Sequence, residues 1–167
     1  MSDDPTPEQR CYRTALRLLG YRFRGSEELR RKLAERGFER EIVAGVLGRL
    51  AEEGWIDDAR FARSLAEAKG RKGIGPKRIA LELRGLGVDG AVAREALRDA
   101  EEEGGGPPLA EIVAKRIRIL GRRNGPGWVR TPEGRKKLLA YLLQQGYEYA
   151  SAAEAVDAAL EKDHGEA

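Results

Sequence analysis

Few side chains in this sequence can support covalent or metal chemistry. The chain has one cysteine, Cys11, and one histidine, His164, near opposite ends of the sequence. A nucleophile needs a base within reach and a zinc site needs several Cys or His ligands, so this pair can build neither. Asp57 and Asp58 are adjacent carboxylates without a histidine beside them, and we expect them to cap a helix. The sequence therefore predicts no enzyme and no metal site, with Cys11 as a small buried hydrophobe.

Anion binding is the chemistry that a glycine-rich turn at Gly70–Gly75 favours. Pro76 marks a helix start there, where free backbone amides can bind phosphate or an acidic protein surface. The turn is not a nucleotide-binding Walker loop, because it lacks the Gly-Lys-Ser/Thr sequence. A solvated basic turn is the alternative. The flanking basic residues are Arg71, Lys72, Lys77 and Arg78.

A second basic group surrounds a loop predicted over Gly121–Arg130. The loop contains Trp128, which could stack on an exposed base, anchor a protein interface or pin the loop to the core. The basic residues around it are Arg122, Arg123, Arg130, Arg135, Lys136 and Lys137.

The charges are unevenly distributed along the chain, although the net charge is only +3. Basic residues outnumber acids in Arg10–Arg40, Lys69–Arg84 and Lys115–Lys137, whereas acids collect at Glu101–Glu103 and in the tail after Ser151. Such segregation is typical of polyanion-binding surfaces, with solubility as the alternative. We expect candidate partner contacts at Arg22, Arg24, Arg30, Arg31, Arg71, Lys72, Lys77, Arg78, Arg122, Arg123, Trp128, Arg130, Arg135, Lys136 and Lys137.

Composition excludes two other classes. Hydrophobic residues make up 41% and charged residues 35% of the 167 residues, which is too apolar for a disordered chain and too charged for a membrane protein. The acids and prolines of Met1–Glu8 are unlike a secretory signal, so we expect a cytoplasmic protein.

Helices must position these residues, because apolar side chains recur at helical spacing and no stretch alternates as a strand. Thr6-Pro7 and Thr131-Pro132 are typical of capped helix starts. The predicted helices are 8–20, 26–36, 40–53, 58–70, 76–86, 89–102, 108–121, 132–145 and 149–162. We expect Trp55 and Phe61 to be buried around Ile56.

Three glycines reveal an internal repeat. Gly37, Gly87 and Gly146 each follow a similar helical segment and are typical of helix ends, and the first two lie 50 residues apart. The sequence predicts an all-α protein of three tandem three-helix, helix-turn-helix-like repeats forming an elongated, curved body. The predicted boundaries are 1–7 disordered N-terminus, 8–56 first repeat, 57–103 second repeat, 104–107 linker, 108–162 third repeat and 163–167 tail.

Three segments resemble the RecX family. Gly54–Ala62 resembles its Gly-x-Ile-Asp-Asp-x-x-Phe-Ala element, and Gly73–Leu83 is similar to its Gly-x-x-Arg-Ile-x-x-Glu-Leu element. Glu28–Phe38 looks like its first-repeat helix and the glycine that follows. The resemblance covers Cys11–Leu160, and the three elements occur in the family's order.

The resemblance implies a regulator of the RecA recombinase. RecX proteins bind the RecA nucleoprotein filament in its groove, inhibit ATP hydrolysis and strand exchange, and promote filament shortening. They also bind DNA and need no cofactor. The expected partners are the RecA filament and, weakly and without sequence preference, single- and double-stranded DNA. We expect no membrane partner and a monomer, since nothing in the sequence demands a dimer.

Other functions stay open at this point. The chain could be a sequence-blind DNA-binding helical repeat, a helix-turn-helix transcription factor or a purely structural scaffold. Against the transcription factor, the predicted second helices carry Arg and Lys, which suit phosphates, rather than base-reading Asn and Gln.

Overall fold

The computed structural model describes residues 4–22, 24–104, 106–125 and 127–162. Within these ranges the chain is entirely helical, with no strand, which confirms the predicted all-α class. His164 and the predicted tail lie outside the described residues. The helices are α1 Pro7–Tyr21, α2 Ser26–Ala34, α3 Arg40–Glu52, α4 Asp58–Gly70, α5 Pro76–Gly85, α6 Gly90–Glu102, α7 Leu109–Asn124, a 3₁₀ turn at Trp128–Arg130, α8 Pro132–Gln145 and α9 Tyr149–Lys162.

Threonine caps begin two of these helices, as the sequence predicts. The Thr6 hydroxyl accepts the Gln9 backbone N–H at 3.2 Å, and the Gln9 side chain accepts the Thr6 N–H at 2.9 Å. At α8 the Thr131 hydroxyl accepts the Gly134 N–H at 3.1 Å. A proline follows each threonine. Proline has no backbone N–H that would need a hydrogen-bond partner, so the backbone groups at both helix starts are satisfied by nearby residues.

The three repeat glycines end helices in the left-handed conformation. Their φ angles are +83° at Gly37, +78° at Gly87 and +94° at Gly146. A side chain at such an angle is strained, so glycine is the residue that ends each segment at the least conformational cost.

Helix α7 is longer than predicted. It continues to Asn124, whose side-chain amide donates to the Leu120 carbonyl at 3.0 Å, and ends at Gly125 with φ +102°. The predicted loop from Gly121 is therefore wrong over its first residues, because Gly121 stays helical. Within the described part of the remaining connection, the 3₁₀ turn at Trp128–Arg130 was not predicted.

The chain divides into two compact units. Unit 1 comprises Met1–Ser64 and Glu82–Ala96, and unit 2 comprises Leu65–Leu81 and Leu97–Ala167. Unit 1 has a core around Cys11, Leu29, Leu33, Val46 and Leu50. The predicted second repeat contributes residues to both units, and the three repeat boundaries stay a prediction.

Helices α7, α8 and α9 pack together in unit 2. They share a core that includes Val113, Leu138, Leu142 and Val156. This arrangement gives the C-terminal part of the chain a three-helix packing of its own.

Burial at the end of α3 differs from the expectation in one residue. Ile56 and Phe61 are buried, but Trp55 is 52% exposed, so its predicted burial is wrong. The backbone turns at Gly54, with φ +75°. Of the two side chains that follow, that of Ile56 packs in the core and that of Trp55 does not.

Among the described residues, no helix is long and apolar enough to cross a bilayer.

Candidate functional site

The adjacent aspartates are both used at helix starts in unit 1. Asp57 accepts the Arg60 backbone N–H at 3.0 Å and so caps α4. The Asp58 carboxylate accepts the Ser26 backbone N–H at 2.7 Å and also the Ser26 hydroxyl, at the start of α2. Among the described residues, no group of three or more His, Cys, Asp or Glu side chains could hold a metal ion. The capping role predicted for this pair is confirmed.

Two of the four basic candidates in unit 1 contact a buried acid. The guanidinium groups of Arg22 and Arg24 both bind Glu28, whose side chain is only 4% exposed. Arg24 is itself 12% exposed and donates to the Leu18 carbonyl at 3.1 Å. This arrangement stabilises the α1–α2 connection, and a partner contact at Arg22 or Arg24 stays a prediction.

The other two candidates lie on the exposed face of α2. Arg30 pairs with Glu27 at 3.0 Å, and Arg31 lies 3.9 Å from Glu35. Ion pairs between exposed side chains are weak and break readily, so both arginines stay accessible to a partner.

The start of α5 in unit 2 does not offer the free amides that the sequence predicted. The Gly75 N–H donates to the Gln145 carbonyl at 2.8 Å, and the Lys77 N–H donates to the Gly146 carbonyl at 3.1 Å. The end of α8 thus occupies the amides at this helix start. The prediction that they bind an anion is wrong, and only the side chains of the turn remain for a partner.

Glycine makes the close contact between the start of α5 and the end of α8 possible. A Cβ atom on Gly75 would lie 2.5 Å from the Gly146 carbonyl carbon, and one on Gly146 would lie 2.5 Å from the Arg78 backbone nitrogen. Such distances are impossible for a real side chain, so both positions need glycine for close backbone approach as well as for conformation.

The four basic side chains of the turn differ in their partners. Arg71 lies 3.6 Å from Glu67, and Lys77 pairs with Glu148 at 2.8 Å. Lys72 and Arg78 are exposed and have no ion-pair partner in the part of the chain that the structure describes. These two residues are the cations most available to an anionic partner at this turn.

Tertiary contacts in unit 2 hold the turn in place. The Tyr147 hydroxyl donates to the Gly73 carbonyl at 3.2 Å, and burial raises the pKa of Tyr147 above its ordinary value. A Cβ on Gly73 would lie 3.4 Å from the Ile112 side chain, and one on Gly106 would lie 2.4 Å from the Gly70 carbonyl oxygen. The backbone of the turn is therefore packed against α7 and against the linker that precedes α7.

In the basic group around Gly121–Arg130, some side chains contact other parts of unit 2 and others are exposed. Arg135 forms two hydrogen bonds with Asp157, at 2.8 and 2.9 Å, which join α8 to α9. Trp128 packs against the unit 2 core, with the Lys137 ammonium 6.0 Å from its ring centre. This placement favours the core role that the sequence left open for Trp128. The remaining candidates of this group are exposed: Arg122, Arg123, Arg130 and Lys136.

A cleft of about 640 Å³ lies beside the turn in unit 2. We call it the α7 cleft, because most of its lining residues belong to α7, with further residues from the turn, the linker and α8. Its lining includes five basic side chains and one acidic side chain, Glu111. The basic residues are Arg71, Lys72, Lys115, Arg116 and Arg118.

Arg116 is a cation of the α7 cleft that contacts an aromatic ring. Its guanidinium carbon lies 4.3 Å from the centre of the Tyr141 ring, which also lines the cleft. Its Nε atom is buried without a hydrogen-bond partner in the described residues. A planar cation stacked on an aromatic ring, in a basic cleft, is suited to a ligand that carries both negative charge and a flat surface.

Sequence reasoning missed three α7 residues of this cleft. Lys115, Arg116 and Arg118 fall within a basic segment that it identified, but not among its candidates. The spacing of Lys115 and Arg118 could have placed them on one helix face. The contact of Arg116 with Tyr141 had no comparable local signal.

Comparison with protein families finds two matches in this chain. Residues 11–50 match the model described as RecX, first three-helix domain, and residues 57–97 match RecX, second three-helix domain. These ranges fall within the first two predicted repeats, 8–56 and 57–103, whose boundaries stay a prediction.

Relatives align along almost the whole chain. The regulatory protein RecX of Halorhodospira halophila is 36% identical over 98% of this chain and 96% of its own length. That of Mycolicibacterium smegmatis is 32% identical over 95% of this chain and 84% of its own length. The crystal structure of RecX from Lactobacillus salivarius superposes with a TM-score of 0.75 at 21% identity, covering 93% of this chain and 96% of that chain.

Proposed function

We propose, from the premise that this chain belongs to the RecX family of regulatory proteins, that it binds the RecA nucleoprotein filament and inhibits its activity. Inhibition would cover ATP hydrolysis, strand exchange and filament extension. The observation that carries this proposal is the similarity to RecX proteins over nearly the full length of the chain. RecA acts on chromosomal DNA, so we place the protein in the cytoplasm.

Exposed cations support the proposal at the level of residues. Lys72, Arg78, Arg122, Arg123 and Lys136 are exposed and have no ion pair with any described residue. A filament of protein and DNA presents phosphates and acidic side chains, which such cations complement. Several weak contacts made by one chain add to a strong attachment without any single strong site. We infer that the protein inhibits by binding several filament subunits at once, and not by chemistry.

The test is RecA's ATP hydrolysis on single-stranded DNA, measured with increasing amounts of this protein. The variant Lys72→Glu/Arg78→Glu reverses the two unpaired cations of the turn. It should need about tenfold more protein for half-inhibition, because a hydrogen bond to a charged group is worth about 1.5 kcal/mol or more. Helical content, measured by circular dichroism, should be unchanged, since both side chains are exposed.

The matched control is Arg94→Glu/Lys162→Glu, which changes the net charge equally at exposed positions outside the three basic segments. It should inhibit as the parent does. Equal inhibition by the turn variant and the parent would refute the assignment of the turn. Inhibition that added single-stranded DNA abolishes would mean that the protein only sequesters DNA, and would refute filament binding.

A further inference from the structure

The α7 cleft carries positive charge that the described residues neutralise only in part. Arg71 lies near Glu67, but the side chains of Lys72, Lys115, Arg116 and Arg118 form no ion pair or hydrogen bond with any residue that the structure describes. Like charges at one site repel each other, and a partly buried guanidinium without an anionic partner is costly. The arrangement is favourable when an anion occupies the cleft.

The size and walls of the cleft restrict what that anion can be. Clefts of about 300–1,000 Å³ hold small molecules or single monomer units, and the α7 cleft measures about 640 Å³. A nucleic-acid duplex is far too wide to enter it. Beside the cations, the walls carry the stacked Arg116–Tyr141 pair and the apolar side chains of Ile112 and Ile119. A ligand of phosphate alone would leave these flat and apolar surfaces unused.

We propose that the α7 cleft binds one nucleotide unit, with the phosphate on Lys72, Lys115 and Arg118 and the base against the Arg116–Tyr141 wall. Lys115 and Arg118 are three residues apart on α7 and both line the cleft, so they can contact one phosphate group together. Bases stack on aromatic and guanidinium planes regardless of their identity, which makes such a site tolerant of sequence. An acidic peptide would leave the flat Arg116–Tyr141 wall without a partner, whereas a base can stack on it.

The nucleotide unit can belong to a single strand of nucleic acid or be a free nucleotide, since both carry the same phosphate and base. The proposal deepens the proposed function, in which exposed cations bind the phosphates of the filament, and rests on it. The turn that borders the cleft is held by Tyr147 and by the close approaches at Gly73 and Gly106. The backbone of the turn is therefore held in place before a ligand arrives.

The experiment measures binding of fluorescein-labelled pentathymidylate to the full chain at low salt, by fluorescence anisotropy and without RecA. Lys115→Glu/Arg118→Glu should weaken binding by about tenfold or more, because each position loses a charge-assisted contact to phosphate. The control Arg94→Glu/Lys162→Glu changes the net charge by the same amount. It should lose only long-range electrostatic attraction, and its affinity should stay within about twofold of the parent.

A second pair of variants tests the aromatic wall. Tyr141→Phe keeps the ring and should bind as the parent does, whereas Tyr141→Leu should lose about fivefold or more, since a base–aromatic stack is worth about 1–3 kcal/mol. Circular dichroism checks whether each variant is folded. If Tyr141→Leu does not fold, Tyr141→Phe still tests the stacking role, because a loss of affinity in Tyr141→Phe would contradict it.

Competition identifies the source of the nucleotide unit. If thymidine triphosphate displaces the labelled strand, the site also binds free nucleotides. If thymidine triphosphate does not displace it, the site binds a nucleotide unit only as part of a strand. Equal binding by parent and Lys115→Glu/Arg118→Glu, or displacement by octaglutamate as efficient as by unlabelled pentathymidylate, would overturn the proposal. Because this assay contains no RecA, such a failure leaves the proposed regulation of the filament to its own test.

Discussion

The ion pair between Arg135 and Asp157 joins α8 to α9 through two hydrogen bonds, at 2.8 and 2.9 Å. Hydrogen bonding to Arg135 holds the pKa of the Asp157 carboxyl below its ordinary value, and the same bond raises the pKa of Arg135. A carboxyl with a lowered pKa in the folded state stabilises the protein above its unfolded pKa of about 3.9. That stabilisation is lost as the pH falls through the folded pKa.

The prediction at the scale of the residue is a pH-dependent effect of Asp157→Asn. At neutral pH the variant should unfold at a lower urea concentration than the parent, by a small margin because the two side chains are 41% and 48% exposed. As the pH falls below about 3.9 and through the folded pKa of Asp157, the two proteins should converge, since protonation removes the ion pair from the parent too. Glu154→Gln, which removes an exposed charge from the same helix without breaking an ion pair with a described residue, is the control. A difference between parent and Asp157→Asn that is constant with pH would contradict this account.

At the scale of the element, glycine at a helix end has two separate roles. Gly37 and Gly146 both have a positive φ, at +83° and +94°. Nothing lies within 4 Å of a Cβ atom built on Gly37, whereas one on Gly146 would lie 2.5 Å from the Arg78 nitrogen. Conformation alone demands glycine at the first position, and conformation together with the docking of α5 demands it at the second.

The two alanine variants should separate these roles. Gly37→Ala should lower the free energy of unfolding by about 1–2 kcal/mol, the cost of a left-handed alanine. Gly146→Ala should lose about 1–3 kcal/mol more, because the end of α8 must move away from α5. Denaturant unfolding followed by circular dichroism measures both. Equal losses would show that the backbone contact at Gly146 contributes nothing to stability.

At the scale of the whole molecule, the exposed arginines and lysines that have no ion pair with a described residue predict DNA binding that depends on salt and not on sequence. Each phosphate that the protein neutralises should add about 0.7 to the slope of log affinity against log salt for a single strand, and about 0.9 for a duplex. Anisotropy titrations over a range of salt, with two duplexes of equal length and unrelated sequence, test this. A flat response, or a strong preference for one duplex, would favour the helix-turn-helix transcription factor.

The sequence by itself determined the helices of this protein and most of their ends. Helix formation and capping depend on residues within one or two turns, and those signals are local. The threonine caps at Thr6 and Thr131 and the glycine ends at Gly37, Gly87 and Gly146 were therefore predictable. So was family membership, because three motifs stand in a fixed order along the chain. Where local signals conflicted, as at Gly121 within α7, the prediction failed.

Only the tertiary structure decided which of the candidate groups are available to a ligand. The amides at the start of α5 looked free in the sequence, but Gln145 and Gly146, some 70 residues later, accept hydrogen bonds from them. Arg116 showed no special signal, yet the fold places its guanidinium on the ring of Tyr141 in a cleft. Hydrogen-bond partners and burial arise from residues far apart in sequence, which periodicity and spacing do not encode. For that reason charge counts identified the basic segments, and the packing of α7 and α8 decided where within them an anion can bind.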